Sequence, residues 1–234
     1  MEKKIIAIGG GEIKNKTTLE IDRYVAELAK AHAGEKRANA LFIGTASHDS
    51  MPYFNSFRKT YTSVFDIKAE VALIVYGEMD IERIAGKIKN ADCIYVGGGD
   101  TVFMMESWKQ TGLLPLIKDA YERGVIIAGL SAGAICWFSD IYTDSAQEET
   151  GEKYAVFKGL GWIDGFVSPH YRMRAEEFDK IVADGFESAY GIEDDSALVI
   201  EDGKIVGSVS SGGKAWYLER TKDGLEKRVL EGLE

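Results

Sequence analysis

Ser131 stands in Gly129-Leu130-Ser131-Ala132-Gly133, a GxSxG pattern. The apolar run Val125-Ile126-Ile127-Ala128 before it suits a strand, and residues 132–138 can begin a helix directly. A serine squeezed between strand and helix sits on a strained turn that lifts its hydroxyl out of the sheet, and small neighbours avoid clashes. The same turn leaves the Ala132 amide free at a helix N-terminus, where it can face an oxyanion. These residues point to nucleophilic chemistry on an acyl group.

A serine nucleophile needs a base, usually histidine. Only His32, His48 and His170 exist, so the choice is made by elimination. His32 falls on the apolar stripe of the first helix and is read as a packing residue. His48 follows a strand and could border a site. His170, in Ser168-Pro169-His170-Tyr171, follows an apolar strand with Pro169 stiffening its approach, and is the preferred base. An orienting carboxylate is offered by Glu193, Asp194 and Asp195, directly before the apolar run Ala197-Leu198-Val199-Ile200. The resulting order of serine, histidine, acid differs from the serine, acid, histidine order of α/β-hydrolases. That fold is therefore excluded as host.

Other candidates fall away. Gly9-Gly10-Gly11 has Lys14 three positions on, so it is not GxGxxG, and a dinucleotide site lacks support. It and Gly97-Gly98-Gly99 are read as allowing tight turns and close backbone approach. Cys93 and Cys136 lack CxxC spacing and read as buried thiols of a reducing compartment. Glu148, Glu149 and Glu152 have no histidine near them and read as a solvated acidic loop rather than a metal site. No cofactor or metal is expected.

The elements that must position these residues follow from hydrophobic periodicity. Nearly continuous apolar runs at residues 40–45, 71–76, 92–97 and 125–129, with 4–9 before them, read as strands buried on both faces. Thr17 and Glu20 have capping-box spacing ahead of a helix whose stripe is Ile21, Val25, Leu28 and His32. Further helices are predicted at 52–63, 80–89, 102–110 and 113–123. This alternation predicts an α/β fold built on a doubly wound, mostly parallel sheet. Residues 139–153 read as a polar loop or hairpin. Short strands at 154–157 and 166–168, a helix at 175–188, and antiparallel strands at 197–201, 204–209 and 215–219 follow. They read as a small C-terminal extension, a lid on one edge of the same sheet, leaving one domain over 1–234.

The chain has 234 residues, 45% of them hydrophobic, ample for a core. Its net charge of -10 and lack of a basic stripe disfavour nucleic-acid binding. No apolar run reaches the length of a membrane span, and no signal peptide is read at the N-terminus. A cytoplasmic protein, monomeric or homodimeric, without a membrane or nucleic-acid partner, is expected.

The chain resembles the peptidase E family of serine peptidases, which includes aspartyl dipeptidases and the related cyanophycinases. The resemblance rests on Phe42-Ile43-Gly44-Thr45-Ala46-Ser47, Gly97-Gly98-Gly99-Asp100-Thr101, the Ser131 turn, Pro169-His170-Tyr171 and Gly191-Ile192-Glu193-Asp194-Asp195. It implies a fold like that of class I glutamine amidotransferases, flavodoxin-like in its sheet, with serine in place of cysteine at the elbow. It further implies Ser131 as nucleophile, His170 as base and then acid, and an oxyanion hole from the amides of Gly98, Gly99 and Ala132. The family's third member is a glutamate where this chain has Asp194. The shorter side chain leaves either Asp194, which is preferred, or Glu193 to orient His170. Asp100 replaces an asparagine common in the family's aspartyl dipeptidases, placing a carboxylate by the glycine turn. An acidic first residue of a substrate would need a cation, for which Arg172 and Arg174 are the candidates. The implied activity is cleavage of short peptides near the N-terminus. The alternatives are a cyanophycinase-like isopeptide hydrolase and a non-catalytic small-molecule-binding protein of the same fold.

Overall fold

The computed structural model describes residues 2–145, 151 and 153–233. The acidic residues Glu148, Glu149 and Glu152 lie outside them. The first half alternates as the apolar runs require: β1 (Lys4–Ile8), α1 (Leu19–Ala33), β2 (Asn39–Ile43), α2 (Met51–Ser63), β3 (Lys68–Ala72), α3 (Ile81–Lys89) and β4 (Cys93–Val96). Then come α4 (Thr101–Thr111), α5 (Leu113–Glu122), β5 (Ile126–Leu130) and the single-turn α6 (Ala132–Ile135). β3, β2, β4, β5 and β1 lie side by side and parallel.

Alternate residues of these strands serve two cores. Ile6, Ile8, Ala40, Phe42, Tyr95 and Ala128 face α1 and α2. Ile5, Ala7, Leu41, Ile94 and Ile127 face α3, α4 and α5. Burial on both faces is why β1, β2, β4 and β5 read as unbroken apolar runs.

Two local expectations change. β3 begins three residues before the predicted strand and ends four residues before that strand's predicted end, because Ile74 and Val75 turn their amides onto Asp49 Oδ2 at 2.6 and 2.7 Å. An edge strand pairs on one side only, so the polar segment Lys68–Ala72 suffices for it. The Thr17–Glu20 capping box does not form. Thr17 Oγ1 accepts from the Glu12 amide and donates to Asp195 Oδ1. The start of α1 is capped from a distance instead, by Ser211 Oγ, which accepts from the amides of Glu20 and Ile21 at 3.0 and 3.2 Å.

The second half is more than a lid on one edge. It comprises β6 (Phe138–Thr143), β7 (Ala155–Lys158), β8 (Ile163–Ser168), α7 (Tyr171–Gly185), β9 (Ser188–Ile192), β10 (Ser196–Glu201), β11 (Lys204–Ser210), β12 (Ala215–Thr221) and β13 (Gly224–Val229). β10 and β11 extend the first sheet antiparallel beyond β1. The other strands form a second sheet in the order β13-β12-β9-β8-β6-β7. Ile141, Ile163 and Val167 from it share a core with Ile127 and Leu198 of the first. Residues 139–143, read as the start of a polar loop or hairpin, belong to β6, which pairs antiparallel with β7; Ile141 and Tyr142 are buried beside half-exposed Ser139 and Asp140. α7 begins four residues before its predicted start, directly at Tyr171. Among the described residues no helix is long and apolar enough to cross a membrane.

Candidate active site

The carboxyl ends of β1, β5, β8 and β9 converge; β5 leads into Ser131, β8 toward His170 and β9 into Glu193 and Asp194. β5 ends at Leu130, and Ser131 turns the chain into α6 at φ 52° and ψ -107°. A non-glycine residue held there stores about 1–3 kcal/mol of strain, tolerated only where the surroundings enforce it. The enforcement is steric. A Cβ on Gly129 would stand 2.1 Å from the Gly133 carbonyl oxygen, and one on Gly133 would stand 2.3 Å from that of Val96.

Three consecutive carbonyls at the end of β1 hold the converging segments. Ile8 O accepts from the Ser131 amide at 2.8 Å, Gly9 O from the His170 amide at 3.0 Å, and Gly10 O from the Asp195 amide at 3.1 Å. Sequence reading assigned Gly9-Gly10-Gly11 a tight turn and close backbone approach. Its larger role is invisible in one dimension, because all its partners are distant in the chain.

Ser131 Oγ lies 3.0 Å from His170 Nε2, and His170 Nδ1 lies 2.6 Å from Asp194 Oδ1. A carboxylate at Nδ1 places the imidazole proton there, leaving Nε2 to accept from the serine hydroxyl. The hydrogen bond from His170 is the main reason the Asp194 carboxyl is held below its ordinary value; the charge of Arg172 adds to it.

Glu193 is occupied elsewhere. It is buried, accepting from Trp216 Nε1 at 3.0 Å, from Arg172 at 2.7 Å and from the Lys214 amide at 3.2 Å. Burial pushes its carboxyl up, but the bonds from Trp216 and Arg172 outweigh this and leave it below the usual glutamate value. Between the two acids the geometry brings Asp194, not Glu193, to His170.

Ser131, His170 and Gly99 line two cavities. One, of about 590 Å³, is walled by Ile13, Pro52, Tyr53 and Leu130. The other, of about 800 Å³, is polar, with His48, Asp100, Asp144, Tyr154 and Arg174 on its walls. Arg174 is 4% exposed, donates to Tyr142 O at 2.9 Å, and lies 4.5 Å from the Tyr154 ring centroid. Burial holds its guanidinium below the ordinary arginine value, and Asp144 at 3.5 Å opposes that shift. Its Nε has no partner among the described residues.

Arg172 differs from the expectation. It lines neither cavity that holds Ser131 but a third, of about 280 Å³, with Asp194 and Asp195. Asp100 lines the polar cavity while capping α4, its Oδ1 accepting from the Phe103 amide at 3.0 Å. Gly98 lies against the serine, with Ser131 Cβ 3.3 Å from where a Gly98 Cβ would stand. Its amide donates to the Tyr53 hydroxyl at 3.3 Å, whereas those of Gly99 and Ala132 have no acceptor among the described residues.

His32 pairs with Asp92 at 2.9 Å, consistent with a packing role, and His48 packs on Phe103 at 4.4 Å. Cys93 and Cys136 are buried free thiols. Among the described residues no cluster of three histidine, cysteine or acidic side chains could hold a metal ion.

The sequence matches Peptidase family S51 over residues 5–207. The chain belongs to this family. The S51 assignment agrees with its relatives. It is 32% identical to "Uncharacterized peptidase YgaJ" of Bacillus subtilis (strain 168), covering 92% of this chain and 91% of that one. It is 34% identical to Peptidase E of Escherichia coli O6:K15:H31 over 68 residues, 29% of this chain and 30% of that one. The fold is shared with the crystal structure of a peptidase from an acI-B1 Actinobacterium. That match has a TM-score of 0.71 at 19% identity and covers 100% of this chain and 96% of that one. The chain is thus a peptidase by family.

Proposed function

We propose that this S51 peptidase is a serine enzyme that cleaves short peptides near their N-terminus through an acyl-enzyme on Ser131. The observation that carries this reading is the continuous hydrogen-bonded chain from Ser131 Oγ through His170 to Asp194. His170 Nε2 takes the serine proton as Oγ attacks the scissile carbonyl carbon. The Asp194 carboxylate stabilises the imidazolium so formed. The amides of Gly99 and Ala132 receive the oxyanion. Collapse of the tetrahedral intermediate breaks the C–N bond, and His170 returns the proton to the leaving amine. Water, activated by the same histidine, then releases the acid.

The two cavities flanking Ser131 suit a substrate lying across it. Arg174 is the cation best placed for an acidic first residue, because it lines the polar cavity with Ser131 and its Nε is unpartnered among the described residues. This favours α-aspartyl dipeptides. Hydrolysis of a dipeptide panel by the wild type and by Ser131→Ala tests the reading: activity surviving in the variant would remove Ser131 as nucleophile.

A further inference from the structure

The Gly98 amide beside Ser131 donates at 3.3 Å to the hydroxyl oxygen of Tyr53. Tyr53 projects from the first turn of α2, its ring set edge-on against Phe42 with centroids 5.0 Å apart. It lines the cavity that also holds Leu130, Ser131 and His170. A phenol both accepts and donates. The oxygen of Tyr53 is engaged by Gly98, but its proton has no acceptor among the described residues. Burial raises its pKa to about 12, so the proton is in place at neutral pH. The hydroxyl is thus fixed from one side by the amide of the glycine turn and carries an unassigned proton at a cavity shared with the serine.

We propose that Tyr53 is a catalytic residue, its hydroxyl held by the Gly98 amide and donating a hydrogen bond to the substrate carbonyl oxygen as it becomes an oxyanion. The inference rests on the reading of Ser131 as nucleophile. No bond breaks at Tyr53. The serine proton passes to His170 Nε2, the carbonyl π electrons move onto oxygen, and Tyr53 keeps its proton while sharing it with that oxygen. The Gly98 N–H polarises the phenol and strengthens it as a donor. Gly98 therefore acts through Tyr53 rather than as a direct oxyanion ligand, and the direct donors are Gly99, Ala132 and Tyr53.

Tyr53→Phe keeps the ring against Phe42 and deletes only the donor. The test compares inhibition by the α-amino aldehyde of the preferred first residue with inhibition by its α-amino alcohol. The aldehyde forms a hemiacetal oxyanion on a serine; the alcohol fills the same space without one. The substitution should weaken the aldehyde at least about tenfold, leave the alcohol unchanged, and lower kcat about 10²-fold with KM within about twofold. Thermal stability should hold. Equal weakening of both inhibitors, an unchanged kcat, or a loss confined to KM would overturn the assignment. Should the variant not fold, 3-fluorotyrosine at position 53, a stronger donor, should tighten aldehyde binding, and unchanged binding would overturn it equally. A wild type that binds aldehyde no better than alcohol would remove the Ser131 reading itself, and the Tyr53 inference with it. That result is seen before any substitution is made, so the two failures are distinguishable.

Discussion

Asp194 Oδ1 lies 1.9 Å from the point where a Cβ on Gly10 would stand, and His170 Nδ1 lies 2.5 Å from it. The absence of a side chain at Gly10 is what admits the His170–Asp194 pair. Gly10→Ala should therefore separate that pair, lowering kcat about 10²-fold or more, while the segment's carbonyls still hold their backbone partners. Steady-state kinetics beside a thermal melt checks this: full activity with an intact fold would show that the site relaxes around a methyl group.

Ser131→Ala should abolish labelling by a fluorophosphonate probe and reduce hydrolysis to background. His170→Ala should lower kcat about 10⁴-fold or more, in line with triads that act as a unit. Absence of labelling in the wild type would favour a small-molecule-binding protein that retains the fold.

The two neighbouring acids should separate cleanly. Asp194→Asn keeps the shape but loses the charge that fixes the His170 proton on Nδ1, and kcat should drop about 10³–10⁴-fold. Glu193→Gln weakens the brace to Arg172, Trp216 and Lys214. Its main effect should be on thermal stability. Reversed effects would make Glu193 the orienting group.

Arg174→Gln should remove discrimination between aspartate and asparagine as first residue, read as a change in the ratio of kcat/KM values. It should also cost stability, because Tyr142 O loses a buried donor. An undiminished aspartate preference would move carboxylate recognition elsewhere.

Stability should depend on pH through two carboxyls of opposite sign. Asp194 has a folded value below its ordinary 3.8, so its contribution is present above that pH and lost as pH falls through the lower folded value. Asp22, on the buried face of α1 and bonded to Thr18 and Tyr61, is raised to about 7 from 3.8, mainly by burial. The folded state holds its proton more tightly between those values, so stability declines as pH rises from about 4 to about 7. Asp22→Asn should raise the melting temperature more at pH 8 than at pH 5. Equal shifts at both would show that Asp22 is not the titrating group.

Much of this was legible in one dimension. A GxSxG turn between an apolar strand and a helix, one suitable histidine and a late acidic cluster are local patterns or counts, so Ser131, His170 and the candidate acids could be named from residue types alone. The parallel core was legible for the same reason, since strands covered on both faces must be apolar throughout. Tertiary structure decided what depends on distant partners. It set Asp194 rather than Glu193 against His170, because Trp216 and Arg172 engage Glu193. It set Ser211 rather than Thr17 at the start of α1, and built a second sheet from segments read as a lid. It also turned Gly9–Gly11 from a tight turn into the brace for three segments, and Tyr53 from a helix residue into a neighbour of Ser131. Hydrogen bonds and steric exclusion act through space at about 3 Å, so a contact between residues in different elements leaves no periodic mark along the chain.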